Sequence, residues 1–317
     1  MHYNSRMRLL FCMAAMGCAG LGAELRLGIV GTDTSHAIAF TSVLNDPAHK
    51  DHIPGARVVA AYKGGSADLT ESSERVEKYA EDLRSKYRVE IVADIATLLT
   101  KVDAVLLESV DGRPHLAQFR EIAKGGKPVF IDKPLASTLE DARAIARIAK
   151  ENNVRWFTSS SVRFSDGMPA LRLEGLNGVV AWGPGPMEAH HQLDLTWYGI
   201  HTVEALYALM GQGCVEVTRT FAPDAEVVTG KWRDGRVGTI RLHRPYSAFG
   251  VTAFSPKGIK SSEKDFYTGY KGLLKEIVAF FQGGKSPVDE AETMEMFAFM
   301  DAAQRSREAG GVPTALR

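Results

Sequence analysis

The chain has few cysteines and no excess of either charge. Its 317 residues include three cysteines, and 38 basic residues balance 38 acidic ones, so the formal net charge is +0. Cys12 and Cys18 lie near the N-terminus, which leaves Cys214 without an intrachain partner in a chain that begins after residue 23. This pattern excludes a disulfide framework and a cysteine-based zinc site. Because there is no basic block either, nucleic acid is not expected as a partner, and a small molecule is.

The chain also lacks an apolar run long enough for a permanent membrane span. Residues 9–23 are apolar, Arg6 and Arg8 precede them, and the run ends in small residues that resemble a signal-peptidase site. We therefore predict a signal peptide over residues 1–23 and export of the remainder, to the periplasm. A cytoplasmic N-terminal extension is the alternative, and a lipid anchor through Cys18 is a weaker match.

Most of the glycine fingerprint of dinucleotide-binding proteins is missing. Residues 25–30 are typical of a buried strand, and a turn at Gly31 leads to a helix, as in the first unit of a nucleotide-binding domain. Of the spacing G-x-G-x-x-G only Gly31 remains, since Asp33 and His36 occupy the other two positions. Asp33 would repel a pyrophosphate unless it turns away or accepts hydrogen bonds from the helix start. The helix N-terminus still favours phosphate, so the predicted cofactor-binding residues here are Gly31, Thr32, Asp33, Thr34, Ser35 and His36.

The chain does contain an unbroken alternation of strands and helices up to about residue 161. Strands are predicted at residues 57–62, 89–92, 104–108, 128–131 and 155–159, and one helix is predicted over 71–87. After residue 161, strands are predicted at 215–221, 225–232, 236–243 and 248–254, and helices at 199–210, 269–281 and 290–308. The sequence thus predicts an α/β Rossmann-type parallel-sheet domain over 24–161. An α+β domain with a largely antiparallel sheet follows over 162–317, with C-terminal helices that cover this sheet or pack back on the first domain.

Polar residues follow the predicted parallel strands at the edge where such sheets place their sites. Lys63 stands where NAD enzymes usually carry an acid, so it either pairs with the 2′-phosphate of NADP or is a solvated turn lysine. Glu108 follows the fourth strand, and His115, at the start of the next helix, either contacts substrate or packs the helix start. The fifth strand brings Asp132, Lys133 and Pro134 to the same edge.

The run Asp132-Lys133-Pro134-Leu135-Ala136 resembles a motif of the Gfo/Idh/MocA family, named for glucose-fructose oxidoreductase and inositol dehydrogenase. Residues 199–206, GIHTVEAL, resemble the G-x-H-x-x-D-x-L helix start of the same family, and residues 276–306 resemble its closing pair of helices. The order and spacing of these motifs make the chain similar to the family from residue 25 to residue 317.

The resemblance implies an oxidoreductase that binds NAD or NADP on its first domain and a sugar, polyol or similar alcohol against the second sheet. It also implies assembly as a homo-oligomer through the outer face of that sheet. Lys133 and His201 match the family's lysine and histidine that flank the reacting carbon. In those roles His201 would take the hydroxyl proton and Lys133 would stabilise the alkoxide.

One departure from the family concerns the residue four positions before the histidine, commonly an aspartate and here Trp197. The substrate residues expected around it are His115, Arg163, His191, Asp194, Trp197 and His201. His190, His191 and His201 could instead hold a divalent metal, but on an extended strand His190 and His191 would point to opposite faces, so no metal is predicted.

The degraded fingerprint leaves two further functions open. One is a non-redox or redox-neutral lyase or hydrolase of keto-sugars on the same scaffold, with metal assistance as one form of it. The other is an exported sugar-binding protein, against which Lys133 and His201 argue because simple binding needs neither.

Overall fold

The computed structural model of the protein describes residues 24–264 and 266–317. The predicted signal peptide, with Cys12 and Cys18, lies outside the described residues. Over the residues described, no helix combines the length and the apolar character needed to cross a membrane.

The first domain is built on a sheet of six parallel strands. They are β1 (Leu25–Val30), β2 (Ala56–Tyr62), β3 (Glu90–Val92), β4 (Ala104–Leu107), β5 (Val129–Ile131) and β6 (Trp156–Thr158). Their spatial order is β3-β2-β1-β4-β5-β6. In this doubly wound order the ligand crevice lies at the carboxyl ends of the strands, next to β1, where the strand order reverses. The predicted Rossmann-type domain is confirmed.

Helices cover both faces of this sheet, which explains why β4 is apolar and buried along its whole length. They are α1 (Ser35–Asn45), α2 (Thr70–Ser73), α3 (Val76–Tyr87), α4 (Ile95–Leu99), α5 (His115–Ala123) and α6 (Leu139–Glu151). Helix α1 begins directly after the turn that follows β1, and the hydroxyl of Thr34 caps it by accepting from the N–H of His36. The start of α1 therefore faces the crevice.

The second domain carries a seven-stranded mixed sheet. Its strands are β7 (Gly178–Pro184), β8 (Cys214–Phe221), β9 (Ala225–Trp232), β10 (Val237–His243), β11 (Gly250–Ser255), β12 (Gly258–Ser261) and β13 (Thr314–Ala315). The order is β12-β11-β7-β10-β9-β8-β13, and all neighbours are antiparallel except β7 and β10. The predicted largely antiparallel sheet is confirmed, with three strands added to the four predicted: β7, β12 and β13. The glycine- and proline-rich sequence of β7, GVVAWGP, concealed that strand.

Three helices complete the chain, namely α7 (Ile200–Met210), α8 (Lys271–Phe281) and α9 (Glu290–Glu308). Helix α8 packs on the first domain, where Leu274 and Ile277 share an apolar cluster with Ile29 and Phe130. Helix α9 packs along β8 and against α6. The two domains are therefore joined by buried contacts, and a cavity lies between them.

The helix predicted over residues 71–87 is wrong in one respect, because it is broken between Ser73 and Val76. The break follows from tertiary contacts: the hydroxyl of Ser72 donates to Asp33 at 2.6 Å and accepts from the N–H of Ser66 at 2.7 Å. A helical propensity cannot reveal such contacts.

Candidate active site

A cavity of about 390 Å³ opens between the carboxyl edge of the first sheet and the second domain. This volume is within the range of small-molecule sites. The first domain lines it with Thr34, Ser35, His36, Glu71, Arg75, Val110 and Lys133. The remaining chain lines it with Ser161, Val162, Pro186, Trp197, Tyr198, His201, Tyr246, Phe249, Tyr267 and Tyr270.

Lys133 enters the cavity directly after β5. Over the described residues its Nζ has no hydrogen-bond or ion-pair partner, and it lies 5.9 Å from the centre of the Tyr198 ring. Burial lowers the pKa of Lys133, and Arg75 lowers it further, while Asp132 opposes the change. Lys133 is thus a cation whose proton is more easily lost than that of a surface lysine.

His201 faces the same cavity from the first turn of α7. Its Nδ1 is 2.6 Å from the hydroxyl of Ser160, and its ring packs edge-on against Tyr198 and Phe249. Burial lowers the pKa of His201 well below its usual value, and the positive charge of Lys133 adds to the effect. His201 is therefore a neutral imidazole near neutral pH, ready to accept a proton.

His36 forms a third ionisable group in the cavity, together with Asp132. The Nδ1 of His36 is 2.5 Å from Oδ2 of Asp132. Burial by itself would raise the pKa of Asp132, but His36 and Lys133 lower it, so this carboxyl is ionised. The neighbouring Glu108 is fully buried, and neither of its carboxyl oxygens has a partner over the described residues. Burial, with Asp132 next, raises the pKa of Glu108 well above its usual value.

Aromatic side chains form much of the remaining wall, and sequence reasoning missed most of them. Tyr198, Tyr246, Tyr267 and Tyr270 all line the cavity. The hydroxyl of Tyr267 is 3.0 Å from that of Ser161, and the Tyr270 ring packs edge-on against His36 at 4.8 Å. A signal was present, since the run YTGY at residues 267–270 places two tyrosines directly before α8.

Two of the six predicted substrate residues, Trp197 and His201, line the cavity, and the other four do not. The carboxylate of Asp194 accepts hydrogen bonds from Arg219 at 2.8 and 3.0 Å and also pairs with Arg307. Asp194 is therefore held outside the cavity by two arginines that are distant in the sequence.

Arg163, His115 and His191 are likewise held by partners outside the cavity. Arg163 forms ion pairs with two carboxylates, those of Glu204 and Glu292. Both ring nitrogens of His115 are within 3.2 Å of main-chain carbonyl oxygens, which places this residue in helix-start packing. His191 is buried with its Nδ1 2.8 Å from Glu188.

His190 and His191 lie in a turn rather than on the extended strand assumed from the sequence. Both rings contact the carboxylate of Glu188. Over residues 24–264 and 266–317, no group of three or more histidine, cysteine or acidic side chains is placed to hold a metal ion. His201 lies apart from this pair, in the cavity.

The predicted phosphate-binding turn is buried rather than open. Gly31 adopts φ +98, a conformation that favours glycine, and Thr32 and Asp33 have no exposed surface. The Asp33 carboxylate turns inward, where it accepts from the hydroxyl of Ser72 and from the N–H of Val110. Burial raises the pKa of Asp33, an effect that these hydrogen bonds partly offset.

The remaining predicted cofactor residues divide between the cavity and its surroundings. Thr34, Ser35, His36 and Lys133 line the cavity. Pro134 is buried directly behind Lys133. The Nζ of Lys63 lies 2.9 Å from both carboxylate oxygens of Glu77 and is therefore already paired with an anion.

The two ends of a dinucleotide thus meet different surroundings. The nicotinamide end fits, because the cavity offers a ring-sized space beside Lys133 and His201. The pyrophosphate end does not fit, because the segment that follows β2 crosses the turn after β1. The hydroxyl of Ser72 in this segment donates to Asp33, and the hydroxyl of Ser66 donates to Asp111 on the loop after β4.

Comparisons with solved structures show the fold of the whole chain. The myo-inositol dehydrogenase from Lactobacillus casei, in complex with NAD(H) and myo-inositol, is 18% identical with a TM-score of 0.71, over 93% of this chain and 97% of that one. The WlbA dehydrogenase from Bordetella pertussis, in complex with NADH and UDP-GlcNAcA, is 19% identical with a TM-score of 0.71, over 93% and 99%. A myo-inositol dehydrogenase from Corynebacterium glutamicum ATCC 13032 is 16% identical with a TM-score of 0.72, over 93% and 99%.

No curated protein sequence matches the chain. The family model GFO_IDH_MocA, described as an oxidoreductase family with an NAD-binding Rossmann fold, matches residues 25–160. These residues are the first domain, from β1 to the end of β6. The match confirms the predicted oxidoreductase class and the nicotinamide cofactor of the family. Residues 25–160 thus match the family of Gfo/Idh/MocA oxidoreductases, with its NAD-binding Rossmann fold, which is the family that the sequence motifs resemble.

Proposed function

We propose that this chain is an NAD-dependent oxidoreductase that transfers hydride to or from a carbinol carbon of a sugar or polyol bound in the cavity. The observation that carries the proposal is the meeting of Lys133 and His201, which come from different domains and line the same cavity. A half-buried lysine and a neutral histidine beside one cavity form an acid/base pair suited to a hydroxyl group.

In this proposal the residues of the chain move and hold the hydroxyl proton, while the cofactor, when bound, accepts or supplies hydride. His201 accepts the proton because its lowered pKa keeps it neutral. The contact with Ser160 at Nδ1 fixes the ring and leaves Nε2 for the substrate. The ammonium of Lys133 stabilises the developing alkoxide, an interaction strengthened by the low dielectric of a buried site.

The other walls of the cavity suit a polyhydroxy compound. Trp197 offers a flat apolar face for a sugar ring, and the four tyrosines offer hydroxyl groups for hydrogen bonding. Two similar dehydrogenase structures are complexes with myo-inositol and with UDP-GlcNAcA, which supports this substrate class for the present chain.

The proposal is tested by assaying the purified chain with NAD and a panel of sugars and polyols. Lys133→Ala and His201→Ala should each lower turnover by about 100- to 10,000-fold, the range for losing a general acid or base. Lys231→Ala and His243→Ala remove the same residue types outside the cavity and should leave turnover unchanged. Wild-type turnover in either cavity variant would refute the acid/base pair.

A second candidate is a redox-neutral lyase or hydrolase of keto-sugars, and the segment that crosses the turn after β1 favours it. Its signature is conversion of a sugar by the cofactor-free chain with no change in nicotinamide absorbance. Conversion that depends strictly on added NAD, with its stoichiometric reduction, would eliminate this alternative.

Export and assembly are proposals from the sequence. We propose that the mature chain begins near residue 24 and reaches the periplasm, and that it forms a homo-oligomer through the outer face of the second sheet. The mass of the chain recovered from the periplasmic fraction and light scattering of the purified protein measure these two properties. A full-length cytoplasmic chain, or a monomer at high concentration, would contradict them.

A further inference from the structure

The segment between β2 and α3, residues 64–75, crosses the carboxyl end of β1, and we refer to it as the strap. Its first part lies beside the predicted phosphate-binding turn. A Cβ on Gly64 would lie 3.4 Å from the Cα of Gly31 and 3.4 Å from the hydroxyl of Ser109. The N–H of Thr32 donates to the carbonyl of Lys63, immediately before the strap, at 2.8 Å. The main chain immediately before the strap is therefore hydrogen-bonded to the turn, and Gly64 lies beside Gly31 with little room between them.

The middle of the strap is held by Asp33, which replaces the second glycine of the fingerprint. The hydroxyl of Ser72 donates to Asp33 at 2.6 Å and accepts from the N–H of Ser66. Leu69 is 3% exposed and anchors the strap by its apolar side chain. An acidic residue thus lies in the place where a dinucleotide protein brings its backbone close to the pyrophosphate.

The far side of the strap is tied to the loop after β4. The hydroxyl of Ser66 donates to Asp111 at 2.6 Å. Arg113, on the same loop, forms a two-bond ion pair with Asp68 of the strap at 2.8 and 2.9 Å and also binds Asp111. Because β1 lies between β2 and β4 in the sheet, a segment that starts at β2 and is tied to the β4 loop must pass over the end of β1.

In a Rossmann domain that crossing point is where the pyrophosphate sits, at the N-terminus of the first helix. We propose that the strap must leave the β1–α1 turn before NAD can bind, and that the Asp68–Arg113 ion pair is the latch that keeps it closed. This inference rests on the NAD dependence proposed above. It makes the affinity for NAD depend on the fraction of molecules whose strap is open.

The ends of the strap are built for such a movement. Gly64 and Gly65 adopt φ +62 and +101, so the chain can change direction there without Cβ strain. At the other end the chain between α2 and α3 is not helical. Glu71 and Arg75 line the cavity while the strap is closed, so opening would also change the wall that faces the substrate.

The latch is tested in the full chain with Asp68→Asn, which weakens the tie to Arg113 and leaves the Arg113–Asp111 pair in place. Asp103→Asn is the matched control, because Asp103 forms a two-bond pair with Arg26 in the same domain but away from the strap. Stopped-flow quenching of tryptophan fluorescence follows NAD binding, since Trp197 lines the cavity. Hydrogen exchange measured by mass spectrometry, with and without NAD, follows residues 64–75.

For the wild type we expect an association rate that reaches a plateau as NAD increases, and loss of amide protection in the strap when NAD is bound. Asp68→Asn should raise the apparent affinity for NAD by about two- to fivefold, because one exposed ion pair stabilises the closed strap by that factor. Asp103→Asn should leave the affinity for NAD unchanged. Ser66→Ala, which removes the bond to Asp111, should act in the same direction as Asp68→Asn.

The outcomes separate the strap from the function on which it rests. Tight NAD binding by the wild type with the strap amides still protected would overturn the strap and leave the NAD dependence standing. Equal NAD affinity in the wild type, Asp68→Asn and Ser66→Ala would overturn the latch. Failure of NAD to bind to any of these proteins would overturn both the NAD dependence and the gate.

Discussion

Burial determines the charge of individual residues around the cavity. Lys133 and His201 both lose affinity for protons there, whereas Asp132 stays ionised because His36 and Lys133 lie beside it. The sequence identified Lys133 and His201 through their motifs. It could not show that Arg163 and Asp194 are held in ion pairs, because their partners, Glu204 and Arg219, are distant in the chain.

Glu108 gives a test of these residue-level electrostatics. Its raised pKa means that the folded state holds a proton that the unfolded state releases above about pH 4.5. Stability contributed by the protonated form is present below that pH and is lost as the pH rises towards the folded pKa. Glu108→Gln, which cannot ionise, should match the wild type in urea unfolding at pH 4 and exceed it increasingly as the pH rises towards the folded pKa of Glu108. A constant difference across this range would contradict a protonated Glu108.

At the scale of elements, the turn between β1 and α1 joins the fold to the site. A strand, one glycine and a capped helix were predictable because they depend on local sequence. The strap was not, since Ser72 and Asp68 are held by Asp33 and Arg113 from other loops. For the same reason the periodicity of residues 71–87 predicted one helix where the structure has two.

The geometry of the turn predicts that Gly31→Ala lowers the stability of the fold. Besides the φ of +98, a Cβ there would lie 2.3 Å from the main-chain nitrogen of Ser109. We expect a loss of about 2–5 kcal/mol in the free energy of unfolding, from backbone strain and overpacking together. Gly126→Ala, at φ +61 with nothing within 4 Å, should lose only about 1–2 kcal/mol. Equal losses in urea unfolding would contradict the close approach of Ser109 to the turn.

At the scale of the whole molecule, the alternation of strands and helices predicted the first domain. The family resemblance predicted that the second domain binds substrate. The cavity wall was harder to predict, because Tyr246 and Tyr270 reach it from separate loops while Lys133 comes from the other domain. Local sequence patterns therefore did not predict the long-range contacts that bring separate segments to one cavity.

One such contact set unites the second domain. Asp194 bonds to Arg219 from β8 and Arg307 from α9, and Glu226 from β9 pairs with Arg219. Asp194→Ala should lower the free energy of unfolding by about 3–5 kcal/mol, because Arg219 is fully buried and would lose a charged partner. Thermal and urea unfolding measure the effect. A stable variant with altered substrate affinity would instead support the role expected from the sequence.

The central claim is that Lys133 and His201 act on one substrate oxygen, and a double-mutant cycle of turnover tests it most directly. NAD-dependent oxidation of the best sugar or polyol would be measured for the wild type, Lys133→Ala, His201→Ala and the double variant. If the two side chains act as a unit, the double variant should lose little more than the more damaged single variant. Losses that multiply in the double variant, or a single variant with wild-type turnover, would contradict a shared site of action.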